Sequence, residues 1–285
     1  VHHVTATDET VLAVHVSGQG PPLLCVPGGP GRASAYLGDL GGLPRSRTLW
    51  RVDLRGSGLS ELPADRDSLA FPRLADDLEV VTDAWAPGPV DVLAHSAGCH
   101  VALVHAARHP GSVRTLVLVT PSANGLVEHS EISADVARIR ALRSDEPWYA
   151  EAAEIEAEVA MLPEARRQRL DRGLRPYFYG RWDATAQAHA AATDAQMSLR
   201  ATAAFRPAEG DPDELAELMR LIVAPTLVVV GERDGGTGTR SGQIVVDALP
   251  NAASSAVVEI PGAGHYPWLD DPDAFRTLVE DFLPS

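Results

Sequence analysis

The 285-residue sequence predicts an α/β fold built on a mostly parallel sheet, and three observations carry that prediction. Short continuous apolar runs recur along the chain, as at Pro22–Val26, Val90–Leu93, Val113–Val119 and Pro225–Val230. Such runs suit strands covered on both faces. Helix-period segments separate several of these runs, the pattern of parallel strands joined by crossover helices. The alternation stops once, from about residue 122 to 222, where helix periods continue with no convincing strand.

Taken in order, Val1–Ser17 alternates apolar and polar residues around Thr7-Asp8-Glu9-Thr10, which predicts an antiparallel hairpin. Pro22–Val26 is a buried strand that ends in the glycine-rich loop Pro27-Gly28-Gly29-Pro30-Gly31. Thr48–Leu54 is the next strand, and the Asp53-Leu-Arg55-Gly-Ser-Gly-Leu-Ser60 run after it reads as a turn held by its Asp and Arg. Phe71–Trp85 is an amphipathic helix with Leu74, Leu78, Val81 and Trp85 on one face. Val90–Leu93, Val113–Val119, Pro225–Val230 and Ala256–Ile260 complete a count of eight strands. Thr239–Leu249 and Asp271–Phe282 are closing helices. Within the helical insertion the periods fall at Ile132–Leu142, Trp148–Leu162, Glu164–Leu174, Ala184–Phe205 and Pro212–Ile222, punctuated by prolines. The expected organisation is a core of residues 1–121 and 223–285 with a helical cap of residues 122–222.

Bulk properties exclude several functions. A net charge of −15 disfavours nucleic acid, whose phosphates need a basic surface. All 24 basic residues are Arg, which together with abundant Ala, Gly and Pro suggests a GC-rich bacterial source. Two cysteines, Cys25 and Cys99, make no disulfide framework and read as small buried residues. No leader pattern or membrane-length apolar run is evident, so a cytoplasmic location and no membrane partner are expected. His105 and His109 stand four apart on a helix, as zinc ligands can, but Ala106 occupies the place where a metalloprotease helix carries Glu. No metal and no cofactor are therefore expected, and the partner is a small-molecule substrate.

The chemistry centres on Ala94-His95-Ser96-Ala97-Gly98. A buried strand ends here and a helix begins at once, so Ser96 sits on a sharp turn that lifts its Oγ above the sheet edge. This is a G-x-S-x-G elbow with Ala94 as the first small residue. Asp234 and His265 also follow buried strands, and parallel strands bring their carboxyl ends to one edge. A serine hydroxyl needs a base to become a nucleophile, an imidazole titrates in the useful range, and a carboxylate fixes the imidazole's tautomer. Glu232 is the rival acid. His95 and His100 flank the elbow and are expected to pack structurally. The insertion's aromatics, Trp148, Tyr177 and Trp182, are the expected substrate-binding residues.

Five motifs in order carry a resemblance: Pro27-Gly-Gly-Pro-Gly31, Asp53-Leu-Arg-Gly-Ser-Gly-Leu-Ser60, His95-Ser-Ala-Gly98, Gly231-Glu-Arg-Asp234 and Gly264-His265. The chain resembles the α/β-hydrolase superfamily, and within it looks like the proline iminopeptidase group. Pro27 and Ala97 depart from that group's usual His and Trp. The resemblance implies an oxyanion hole from the N–H groups of Gly29 and Ala97, and hydrolysis of a small amide or ester through an acyl-enzyme. It also implies carboxylates that hold a free α-amine, for which Glu151, Glu154, Glu156 and Glu158 are available. An esterase, lactonase or thioesterase is the alternative. A cofactor-free lyase or cyclase and a non-catalytic receptor are the other classes the scaffold allows.

Overall fold

The computed structural model describes residues 1–29, 31–160, 171–204 and 212–284. Eight strands form one sheet: β1 (His2–Thr5), β2 (Val11–Gly18), β3 (Pro22–Val26), β4 (Thr48–Val52), β5 (Val90–His95), β6 (Val113–Val119), β7 (Thr226–Gly231) and β8 (Ser255–Ile260). Their spatial order is β1-β2-β4-β3-β5-β6-β7-β8. β1 pairs β2, and β2 pairs β4, antiparallel; every other pairing is parallel. This is the predicted mostly parallel sheet of an α/β-hydrolase fold.

The apolar runs are explained by burial on both faces. Along β3, Leu24 and Val26 face one core while Leu23 and Cys25 face the other; along β7, Val228 and Val230 alternate with Leu227 and Val229. A two-residue period with both faces covered leaves no polar position. The first core is closed by helix α1 (Phe71–Trp85) and helix α2 (Gly98–Arg108), through Leu74, Leu78, Val101 and Leu103 among others. The second is closed by Leu37, Leu40, Leu43 and the C-terminal residues Trp268, Phe275 and Val279. Each such side chain stabilises the fold by about 1.5–3 kcal/mol on leaving water. Trp85 meets Trp50 edge-on, with ring centroids 5.4 Å apart.

Between β6 and β7 the described residues form helices, among them α3 (His129–Ala141) and α4 (Tyr149–Ala160). Of the predicted Glu164–Leu174 helix, residues 171–174 are helical and 164–170 lie outside the described residues. The predicted single helix Ala184–Phe205 is two helices, Ala184–Gln196 and Leu199–Ala204, and Phe205 itself is outside the described residues. Backbone pairing causes the break. Met197 bridges Arg32, Ala33 N–H donates to Gln196 C=O at 2.9 Å, and Ser198 N–H donates to Gly31 C=O at 2.9 Å. The helix yields its own hydrogen bonds there to the segment just after the glycine-rich loop.

Candidate active site

Ser96 occupies the turn between β5 and α2 with φ = 53°, a left-handed conformation that costs a non-glycine residue roughly 1–2 kcal/mol. Two glycines let the chain close around it. A Cβ on Gly98 would lie 2.3 Å from Pro27 O, and one on Gly28 would lie 2.7 Å from the Ser96 Cβ. Ser96 is not a helix cap: Ala97 is the N-cap residue of α2, and no side chain caps that end.

A cavity of about 800 Å³ opens over this turn, and Ser96, His265 and Gly29 all border it. Asp234 lies behind His265, fully buried, with Oδ2 2.9 Å from His265 Nδ1. Burial alone would raise the Asp234 pKa. The His265 charge and hydrogen bond, with donors Thr237 Oγ1 at 2.6 Å and Gly236 N–H at 2.8 Å, outweigh it and hold the carboxyl below the usual range. An ionised Asp234 accepts only, so His265 Nδ1 is the donor of this pair and the ring's other nitrogen, Nε2, is the one turned away from the carboxylate. The rival acid Glu232 is exposed and accepts from Gly262 N–H instead. Among the described residues no hydrogen bond joins Ser96 Oγ to His265; such contacts commonly tighten only when substrate is bound. The N–H groups of Gly29 and Ala97 have no backbone acceptor among the described residues, so both are free to donate.

A network that the sequence reading assigned to packing ties these loops together. His95 Nε2 lies 2.9 Å from the His265 carbonyl, which can only accept, so Nε2 is the protonated nitrogen. Burial, reinforced by the nearby His265 charge, pushes the His95 pKa well down, so the ring is neutral and Nδ1 accepts. Tyr36 OH donates to that Nδ1 at 2.7 Å and accepts from Gly28 N–H at 2.6 Å. Each donor and acceptor assignment follows from the last. The result is a continuous path from the histidine loop, through the elbow strand, to the glycine-rich loop.

The Asp53–Ser60 turn is structural, as its residues suggested. Asp53 Oδ1 accepts from Ser34 N–H and Oγ, both at 2.7 Å, and Arg55 is buried between Asp77 and Asp8. His105 is fully buried with Nε2 2.8 Å from Glu79. Cys25 and Cys99 are buried and unbridged.

The expected substrate-binding aromatics do not reach the cavity. Trp148 and Tyr177 pack on one another edge-on, 5.1 Å between centroids, in a small core within the insertion. Trp182 packs against Tyr179 at 5.4 Å. Trp148 and Tyr177 thus serve the insertion's own core and Trp182 packs on the sheet's second core, while the neighbouring residues Phe178 and Tyr179 border the cavity instead. Nor do the acidic residues of α4 line it: Glu151, Glu154 and Glu158 are exposed, and Glu156 pairs with Arg140. The cavity wall does include Arg32, Arg172, Arg175 and Asp194, none of them singled out from the sequence. Only the position of Arg32, directly after the glycine-rich loop, could have signalled its place.

Comparison with known proteins agrees with the fold. Residues 21–272 match the sequence profile of the alpha/beta hydrolase fold family. A pimeloyl-[acyl-carrier protein] methyl ester esterase from Chromobacterium violaceum is 29% identical over 287 aligned residues, covering 94% of this chain and 97% of that one. A proline iminopeptidase from Heyndrickxia coagulans is 28% identical over 105 residues, 37% of this chain and 36% of its own length. The crystal structure of proline iminopeptidase from Mycobacterium smegmatis superposes with a TM-score of 0.74 at 21% identity, covering 99% of this chain and 96% of that one. With a family match across most of its length and an eight-stranded sheet of the same kind, the chain belongs to the alpha/beta hydrolase fold family and is a hydrolase.

Proposed function

We propose that this hydrolase is a serine esterase in which Ser96 is the nucleophile, His265 the base and Asp234 the acid that orients it. His265 Nε2 takes the Ser96 Oγ proton as Oγ attacks the ester carbonyl. The N–H groups of Gly29 and Ala97 receive the developing oxyanion, a contribution of about 2.7–4 kcal/mol per donor. The imidazolium then protonates the departing alcohol. Water repeats the sequence on the acyl-enzyme and releases the acid. The helical insertion, about residues 122–222, acts as the cap that walls the cavity opposite Ser96.

The preference for an ester over a free-amine peptide rests on the cavity's charges. An aminopeptidase must hold an α-ammonium with carboxylates. Among the described residues the cavity's one carboxylate is Asp194, already bound to Arg172 at 3.0 Å and to Arg175. Relatedness to the methyl ester esterase, aligned nearly end to end, supports the same reading.

The test is a panel of p-nitrophenyl acyl esters beside aminoacyl p-nitroanilides, the latter with free and with N-acetylated amines. Ester turnover is expected, with no advantage for the free amine. A tenfold or greater advantage for the free amine, the size of a lost charge-assisted hydrogen bond, would return the peptidase reading.

A further inference from the structure

Among the described residues, Arg32 is a buried cation without a counter-ion. It is 5% exposed and borders the cavity beside Gly29 and Ser96. Its guanidinium lies 4.1 Å over the Tyr36 ring. Nε and Nη2 donate to the Gln196 side-chain oxygen at 3.1 and 2.9 Å, and Nη1 donates to Tyr266 OH at 3.2 Å. These partners are all neutral. They use three of five N–H groups and leave one on each terminal nitrogen. Arg32 makes no ion pair with a described carboxylate.

The other buried arginines among the described residues behave differently. Arg47 pairs with Asp91 at 3.2 Å, Arg55 with Asp8 at 2.7 Å and with Asp77, and Arg143 with Glu146 at 3.2 Å. Burying a charge is costly unless it is paired. The fold meets that rule at three sites and departs from it at the one that borders the cavity. Among the described residues the wall repeats the sign: three guanidiniums and one carboxylate line it, in a protein whose net charge is −15.

We propose that the missing counter-ion is supplied by the substrate, and that Arg32 is a specificity-determining residue for esters carrying a second, free carboxylate. The proposal rests on the esterase reading for the reaction but not for the binding. A carboxylate has two oxygens to accept from the two N–H groups that remain on the Arg32 guanidinium, one on each terminal nitrogen. The cavity, at about 800 Å³, has room for a short dicarboxylic monoester.

Two measurements test this. In the first, kcat/KM is compared for p-nitrophenyl hemiglutarate, whose carboxylate is in the acyl part, for a carboxyphenyl butyrate, whose carboxylate is in the leaving group, and for neutral p-nitrophenyl butyrate. Arg32→Gln should lower the anionic-to-neutral ratio about tenfold or more for one of the two anionic esters, which identifies the side that meets Arg32. Arg32→Lys should retain part of the ratio. Equal losses on all three esters would make Arg32 a structural clamp on Gln196 and overturn the proposal. In the second, thermal stabilisation by glutarate, butyrate and inorganic phosphate is read in Ser96→Ala protein with Arg32 intact or replaced by Gln. Glutarate should stabilise only the protein that keeps Arg32. Equal stabilisation by butyrate, or a response to phosphate alone, would refute a dicarboxylate site. Because this second assay needs no turnover, glutarate binding that survives alongside an unchanged kcat in the Ser96→Ala single variant would sink the catalytic reading and leave the anion site standing.

Discussion

Tyr36→Phe is the most informative single change outside the proposed triad, because its cost can be worked from two contacts. The phenol oxygen accepts from Gly28 N–H at 2.6 Å and donates to His95 Nδ1 at 2.7 Å, and the side chain is 3% exposed. Phenylalanine fills the same space and removes only that oxygen, so no cavity penalty of consequence is added. Two buried polar groups are then left without a partner, at about 1–3 kcal/mol each. Tyr36 borders the cavity, so water can enter and relieve part of the loss. A destabilisation of about 2–3 kcal/mol is expected, which at about 2–4 °C per kcal/mol lowers Tm by roughly 4–12 °C. The catalytic effect is separate. Gly28 is adjacent to Gly29, the proposed oxyanion donor, and loosening that loop forfeits part of a contribution worth 10²–10³ when a donor is lost outright. A fall in kcat of about tenfold to a hundredfold, with KM little changed, should appear in steady-state ester hydrolysis. A variant that matches wild type in both Tm and kcat would show that the path from His265 through His95 to Gly28 positions nothing.

Further outcomes follow from the same geometry. Ser96→Ala should lower kcat by roughly 10⁴–10⁶ and abolish labelling by a fluorophosphonate, read by intact-protein mass spectrometry; near-normal turnover would remove Ser96 from the mechanism. Asp234→Asn should cost about 10⁴ in kcat through the wrong imidazole tautomer, while Glu232→Gln, at an exposed residue away from the cavity, should change kcat little; the reverse pattern would reassign the acid. Stability should fall as the pH drops below about 6.5. Burial lowers the pKa of His95, His100 and His189, the last to about 4. Below about pH 6.5 the unfolded chain therefore binds protons that the folded chain refuses, a loss of up to about 1.4 kcal/mol per pH unit for each imidazole. Urea midpoints should be level above neutrality and drop between pH 6.5 and 4, and His189→Gln should flatten part of that slope.

The sheet and the strand-end residues were legible because backbone geometry and sequence pattern coincide there. A strand buried on two faces has to be apolar throughout, as β7 is, and the residue that follows it emerges at the sheet's carboxyl edge. Ser96, Asp234 and His265 each occupy such a place, so strand assignment together with residue chemistry singled them out, with Glu232 left as a rival on the same strand end. The glycines around the elbow were legible for a similar reason: Gly28 and Gly98 sit where a Cβ would meet backbone. His95 was read as packing because nothing in its neighbours announces a hydrogen-bonding path. Its partners, Tyr36 and the His265 carbonyl, are 59 and 170 residues distant in the chain.

The cap was harder to read for a physical reason that bears on substrate choice. A helix-period pattern identifies which residues are buried, not whether they are buried against protein or against a ligand. Trp148 and Tyr177 have the size and spacing of either kind, and the fold spends them on the insertion's own small core. The wall of the cavity is made instead by Phe178, at the edge of that core, by Tyr179, which packs into the sheet's second core, and by the break at Met197 where a predicted continuous helix surrenders its backbone to the Arg32 segment. That backbone pairing is also what holds the Arg32 guanidinium under Gln196 and away from every described carboxylate. Selectivity for a charged group therefore depends on a long-range pairing that no local pattern encodes, whereas the reaction depends on strand ends that local pattern does encode.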